Sequence, residues 1–305
     1  MSERRIVFFF ICLAVVVKAE AITPEVKNII ADSISTSTQK DAIAFLDTIP
    51  VLEPSIYWPN IKPALFLKNL KQNIHEPLNI YPGRGTNFCG YGALTYLLIQ
   101  DDPLGYAKLL LKLYKNGKAS FGKTNFEPSN RIKKIPGTFN FKGALDIHPA
   151  EQLWYLCLAD HFKGYINFFD HKYDPGDEDK FWASVNYAKF NRMVRQLLHY
   201  KVDSKGSDLI RPFFINIYDY INEKLKSGIV VLYLNNRILH KKKLEKIKLA
   251  VPTHFVVLQQ ISKTDDTITM VYWDYGTKTL RQFSSHFLKK IIFGISLCTK
   301  TTGYE

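Results

Sequence analysis

The chain has 305 residues, of which 46% are hydrophobic and 14% aromatic, so it can bury a substantial core and is not disordered. Its formal net charge is +13, but the basic residues are scattered apart from one cluster, Lys241-Lys242-Lys243. No zinc-finger spacing, phosphate-loop motif or aromatic RNA-binding signature accompanies them, which argues against specific nucleic-acid binding. A scattered basic surface is ordinarily solvation; the partner it would suit is an anionic cell-wall or membrane surface.

The N-terminus has the pattern of an export signal. Arg4 and Arg5 precede the apolar run Ile6–Val17, followed by Lys18 and the small-residue site Ala19-Glu20-Ala21. The run is shorter than the roughly 20 residues of a spanning helix, so residues 1–21 are expected to be cleaved, leaving a secreted or periplasmic protein that begins at Ile22. An uncleaved anchor is the competing outcome. Cleavage would remove Cys12 and leave Cys89, Cys157 and Cys298. An odd count in an exported protein leaves a free thiol or an intermolecular bridge. Cys157 and Cys298 lie in apolar patterns, as simple core residues or as a pair.

Residues 22–80 are expected to form a helical N-terminal extension. Thr23-Pro24-Glu25 is a helix start, Thr36 and Gln39 have capping-box spacing, and Pro63 opens a helix with Phe66, Leu67, Leu70 and Ile74 on one face. The segment carries no obvious processing site, so packing on the next domain is favoured over a propeptide.

Residues 81–305 are expected to be one domain with a mainly helical insertion at about 118–228. Its first element is a Gly-rich loop running into Cys89-Gly90-Tyr91-Gly92-Ala93-Leu94. A thiol at a helix N-terminus faces unpaired N–H groups and the positive end of the dipole, which favours the thiolate. Gly90, Gly92 and Ala93 let another layer approach the first turn. Asp102 and Pro103 start a second helix that ends at Gly117. Loop and short strands follow over 118–146, then a helix from about Pro149 to Phe162. The acidic stretch 170–179 lacks EF-hand spacing and reads as a solvated loop. Helical patterns resume over 178–200 and 207–226.

From Ile229 the period changes. Ile229–Leu234, Thr253–Ile261, Thr267–Tyr275 and Ile291–Cys298 read as strands, with a short helix at Ser284–Lys290. In an antiparallel hairpin the start of one strand lies beside the end of the next, so His254 and Asp274 can meet. A cysteine nucleophile needs a histidine to take its proton and a carboxylate or amide to orient the ring. Cys89, His254 and Asp274 supply that set in chain order.

Those residues resemble the papain-like cysteine peptidase superfamily. The helix at Cys89-Gly90-Tyr91-Gly92-Ala93, the strand His254-Phe255-Val256-Val257-Leu258 and the block Trp273-Asp274-Tyr275-Gly276 match its Cys, His and Asn/Asp blocks, and the look is closest to bacteriocin-processing (double-glycine) peptidases. The resemblance covers about 83–100 and 229–298. It implies an α+β papain-like fold, N-terminal helices including the Cys helix packed on a C-terminal antiparallel sheet. It also implies a thiol hydrolase, a cysteine peptidase or amidase acting on a peptide or amide substrate through a thioester, with no metal and no organic cofactor. The family glutamine that helps bind the oxyanion falls at Gly83 here, so Asn87 is expected to substitute, together with the Cys89 N–H. The rival expectations are a cell-wall amidase or acyltransferase, and a non-catalytic binding or toxin-associated module that keeps the fold.

Overall fold

A computed structural model describes residues 36–139, 147–213, 215–236 and 252–301. The export signal, the helix start at Thr23 and the Lys241 cluster lie outside them.

Helix α1 (Gln39–Asp47) has its N-cap at Thr38, two residues after the Thr36 that the spacing predicts. The Thr38 hydroxyl accepts from Asp41 N while the Asp41 carboxylate accepts from Thr38 N. Thr36 turns away, and its N–H donates to Asp101 O. Helix α2 (Pro63–His75) starts at the expected proline and buries Phe66, Leu70 and Ile74. Both helices join the same core as α3 (Cys89–Asp101), so the N-terminal extension packs on the rest of the described chain.

Every residue of α3 except Gln100 is buried. A helix apolar on all sides belongs at the centre of a fold. Around it lie α4 (Pro103–Asn116), the short hairpin β1 (Ala119–Phe121) and β2 (Thr124–Phe126), α5 (Asn130–Lys133), α6 (Pro149–His161) and α7 (Tyr187–Leu197). Between α6 and α7 the chain makes three 3-10 turns, at Tyr165–Phe169, Asp177–Asp179 and Phe181–Ala183. The acidic stretch is thus tied down rather than loose: Asp170 accepts from Trp182 N, and Glu178 O accepts from Asn87 N.

The remaining elements are β3 (Tyr200–Gly206), α8 (Ile217–Leu225), β4 (Ile229–Leu234), β5 (His254–Thr264), β6 (Thr267–Asp274), β7 (Thr277–Ser284), α9 (Ser285–Ile291) and β8 (Ile292–Lys300). They form a six-stranded antiparallel sheet in the order β3-β8-β4-β5-β6-β7. The chain is therefore α+β, with N-terminal helices against an antiparallel sheet. Strand β4 is buried at all six positions. Ile229, Val231 and Tyr233 face the core around α3, while Val230, Leu232 and Leu234 pack with Ile217, Ile221 and Leu225 of α8. Helices on both faces explain why this strand reads as an unbroken apolar run.

Two strands depart from the sequence reading. The helices expected over 178–200 and 207–226 are shorter, and β3 falls between them; β7 (Thr277–Ser284) occupies residues that the sequence reading left without a strand. Both are the outer strands of the sheet, and β3 buries only Tyr200 and Val202. An edge strand with few buried positions leaves little period-2 signal.

Candidate active site

The thiol is positioned by close packing at the start of α3. A Cβ on Gly90 would come within 2.9 Å of Val185, and one on Gly92 within 2.9 Å of Pro82. Only glycine lets the 177–185 segment and Pro82 press this closely on the first turn. The N-cap, Phe88, offers no side-chain cap, so the first-turn N–H groups beside Cys89 have no capping side chain. The Cys89 thiol donates to Thr253 O at 3.4 Å, immediately before His254.

His254 opens β5 and Asp274 closes β6. Their side chains meet, with His254 Nε2 2.6 Å from Asp274 Oδ1. Asp274 therefore sits on the Nε2 side of the ring. Burial pushes the His254 pKa down, but the Asp274 charge and hydrogen bonds with Asp274 and Cys89 outweigh it and raise it to about 9. The imidazolium is thus the favoured form at neutral pH. Cys89, His254 and Asp274 are 5%, 1% and 4% exposed. The three side chains named from the sequence form one buried cluster.

Asn87 does not take the place expected of it. Its Nδ2 donates to Lys180 O at 2.9 Å and to Ser184 Oγ at 3.1 Å, which uses both amide hydrogens. It fastens the 177–185 segment to the loop before α3 and has no N–H left for an oxyanion.

Three further residues surround the cluster, of which Lys189 and Glu151 lie outside the quoted motifs and Tyr275 follows Asp274 directly. Lys189 of α7 is 1% exposed and donates to Tyr91 Oη (2.7 Å), Asn167 Oδ1 (3.1 Å) and Ser184 O (2.9 Å). Burial, then the nearby Lys163 and Arg192 charges, hold its pKa well below the usual lysine value. Glu151 of α6 is buried and accepts from the Tyr81 and His148 N–H groups, and burial lifts its pKa to about 8. It anchors the segment after the 3-10 turn at Pro77–Asn79 that leads into the Gly83 loop. Tyr275 covers the imidazole, with ring centroids 4.5 Å apart and planes 17° apart. The only sequence signal for Lys189 is a lysine at an otherwise apolar helical position, between Val185, Phe190 and Met193.

Cys157 and Cys298 are unpaired, like Cys89, and buried. Burial raises the Cys157 thiol well above its ordinary pKa and the Cys298 thiol to about 12. Among the described residues no group of three or more His, Cys, Asp or Glu side chains could hold a metal ion, and no helix is long and apolar enough to cross a membrane. A groove of about 740 Å³ between residues 50–52 and α2 lies apart from the cluster and contains none of its residues. Searches against protein-family models, curated proteins and solved structures each return no match.

Proposed function

We propose that this chain is a papain-like thiol hydrolase, a cysteine peptidase or amidase. Cys89 sulfur attacks the carbonyl carbon of an amide, its proton already held on the His254 imidazole. The tetrahedral oxyanion is met by the Cys89 backbone N–H at the uncapped start of α3. Collapse breaks the C–N bond, His254 gives its proton to the leaving amine, and a thioester remains. Water then attacks the thioester, His254 takes its proton, and the thiol is restored as the acid leaves. Asp274 holds the ring in one orientation throughout. The observation that carries this reading is the buried His254–Asp274 contact beside a thiol bonded to the carbonyl of Thr253.

Iodoacetamide at mildly acidic pH tests it. One equivalent should react in the native fold, and peptide mapping should place it on Cys89. Cys157 and Cys298 should react only after unfolding. Equal labelling of all three native thiols would refute the assignment.

The enclosure of the three side chains beneath Tyr275 favours one alternative, a binding or toxin-associated module that keeps the scaffold. Such a protein would label poorly at Cys89 and cleave no amide. Cell-wall amide cleavage or acyl transfer would use the same thioester with a different donor or acceptor.

We also infer export. Mass spectrometry of the protein from its native host should find Ile22 as the first residue. An intact Met1–Val17 segment in a membrane fraction would mean an anchor instead.

A further inference from the structure

The turn between β6 and β7 consists of Tyr275 and Gly276, with φ of 44° and 80°. Positive φ at both positions is the primed hairpin turn, whose first place usually goes to Asn, Asp or Gly. A tyrosine there holds a strained backbone conformation. The turn aims its ring at one place, parallel to the His254 imidazole at 4.5 Å. Over the same ring, 5.9 Å from its centroid, lies the guanidinium of Arg84. Arg84 and His254 therefore both lie against the Tyr275 ring, the first exposed and the second buried.

Arg84 is held on a fastened loop. Its N–H donates to Tyr81 Oη, Gly83 before it has φ of 82°, and Thr86 Oγ1 donates back to Pro82 O and Gly83 O. The side chain is exposed and forms no ion pair with a carboxylate among the described residues. A guanidinium stacked on an aromatic ring keeps its edge N–H groups free to grip a carboxylate in a bidentate pair. Arg84 is exposed, so a chain can continue past it, as a side-chain subsite requires.

We propose that Arg84, carried on the Tyr275 platform, is a substrate-binding residue that receives an acidic side chain flanking the amide attacked by Cys89. This rests on the thiol-hydrolase reading and names its substrate class: peptides or amides with a Glu or Asp beside the scissile bond.

The test compares two chloromethyl ketones that alkylate the Cys89 thiol, blocked glutamyl and blocked glutaminyl, which match in length and differ in charge. Wild type should be inactivated about tenfold faster by the glutamyl reagent, the scale of one charge-assisted bidentate contact at a partly exposed site. Arg84→Gln should bring the ratio near one, and Arg84→Lys should leave an intermediate preference. The glutaminyl reagent reports on each variant that the site is assembled. A glutamyl preference that survives Arg84→Gln, or no preference in wild type, overturns the subsite but leaves the thiol chemistry standing. If neither reagent modifies Cys89 in wild type and iodoacetamide does not single it out, the subsite falls together with the hydrolase reading.

Discussion

Replacing His254 by alanine should slow alkylation of Cys89 at mildly acidic pH by about 10²–10⁴-fold, the usual contribution of a positioned acid–base group. The variant loses both the proton acceptor and the positive charge beside the sulfur. The wild-type rate profile should bend near pH 9, where His254 gives up its proton, and the bend should vanish in His254→Ala. Asp274→Ala should shift it down, because burial then opposes only the Cys89 contribution once the carboxylate is gone. Asp274→Asn should do less, since an amide oxygen can still accept from Nε2. Stability follows the same linkage. The folded His254 value, about 9, lies above the ordinary 6.5. The pair's contribution is therefore complete below about pH 6.5 and is lost as pH rises through about 9. Urea denaturation should show the Asp274→Ala deficit shrinking between those limits. A deficit that grows with pH would contradict the assignment.

Lys189→Met should destabilise the protein by roughly 1–3 kcal/mol in urea denaturation, the cost of leaving a buried polar group without a partner. Tyr91 Oη loses the ammonium, while Asn167 Oδ1 keeps the Gly164 N–H and Ser184 O keeps the Asn167 amide. The effect should depend on pH with a definite sign. Burial lowers the folded lysine below its ordinary 10.5, so the unfolded chain holds a proton that the folded one releases more readily. Wild type then gains stability from Lys189 as pH rises toward 10.5, and the gap to Lys189→Met should widen in that direction. A gap independent of pH would show that Lys189 stays charged in the fold.

Much of this architecture is legible in the chain itself. The small residues after Cys89 announce a helix that other layers press against, and Val185 and Pro82 do so. The period change at Ile229 marks the sheet, and the two ends of the β5–β6 hairpin bring His254 to Asp274. What escaped is what leaves a faint pattern. Strands β3 and β7 are edges with few buried positions. Lys189 looks like a solvated helix residue until three acceptors close around it. Asn87 sits near the nucleophile in sequence, but its amide is spent on Lys180 and Ser184, which lie more than 90 residues away.

The deepest limit is register. Beyond the irregularity, toward the β5–β6 turn, Gln260 pairs with Val271; before it, Val257 pairs with Trp273. The extra residue is Gln259, whose amide donates to Tyr96 Oη on α3 at 3.1 Å. With the bulge, Val256 falls opposite Asp274, and His254, two residues along, shares its face. Continued without the bulge, the distal register would set Val257 opposite Asp274 and turn His254 to the other side of the sheet, since a slip of one residue flips every side chain. By itself the sequence determined the residue types, the helix start and the strands, because those are written in local period and composition. Only the tertiary structure decided that the histidine and the aspartate point the same way, because a bulge held by a tyrosine on the Cys89 helix is a contact between segments 163 residues apart, and no local pattern encodes it.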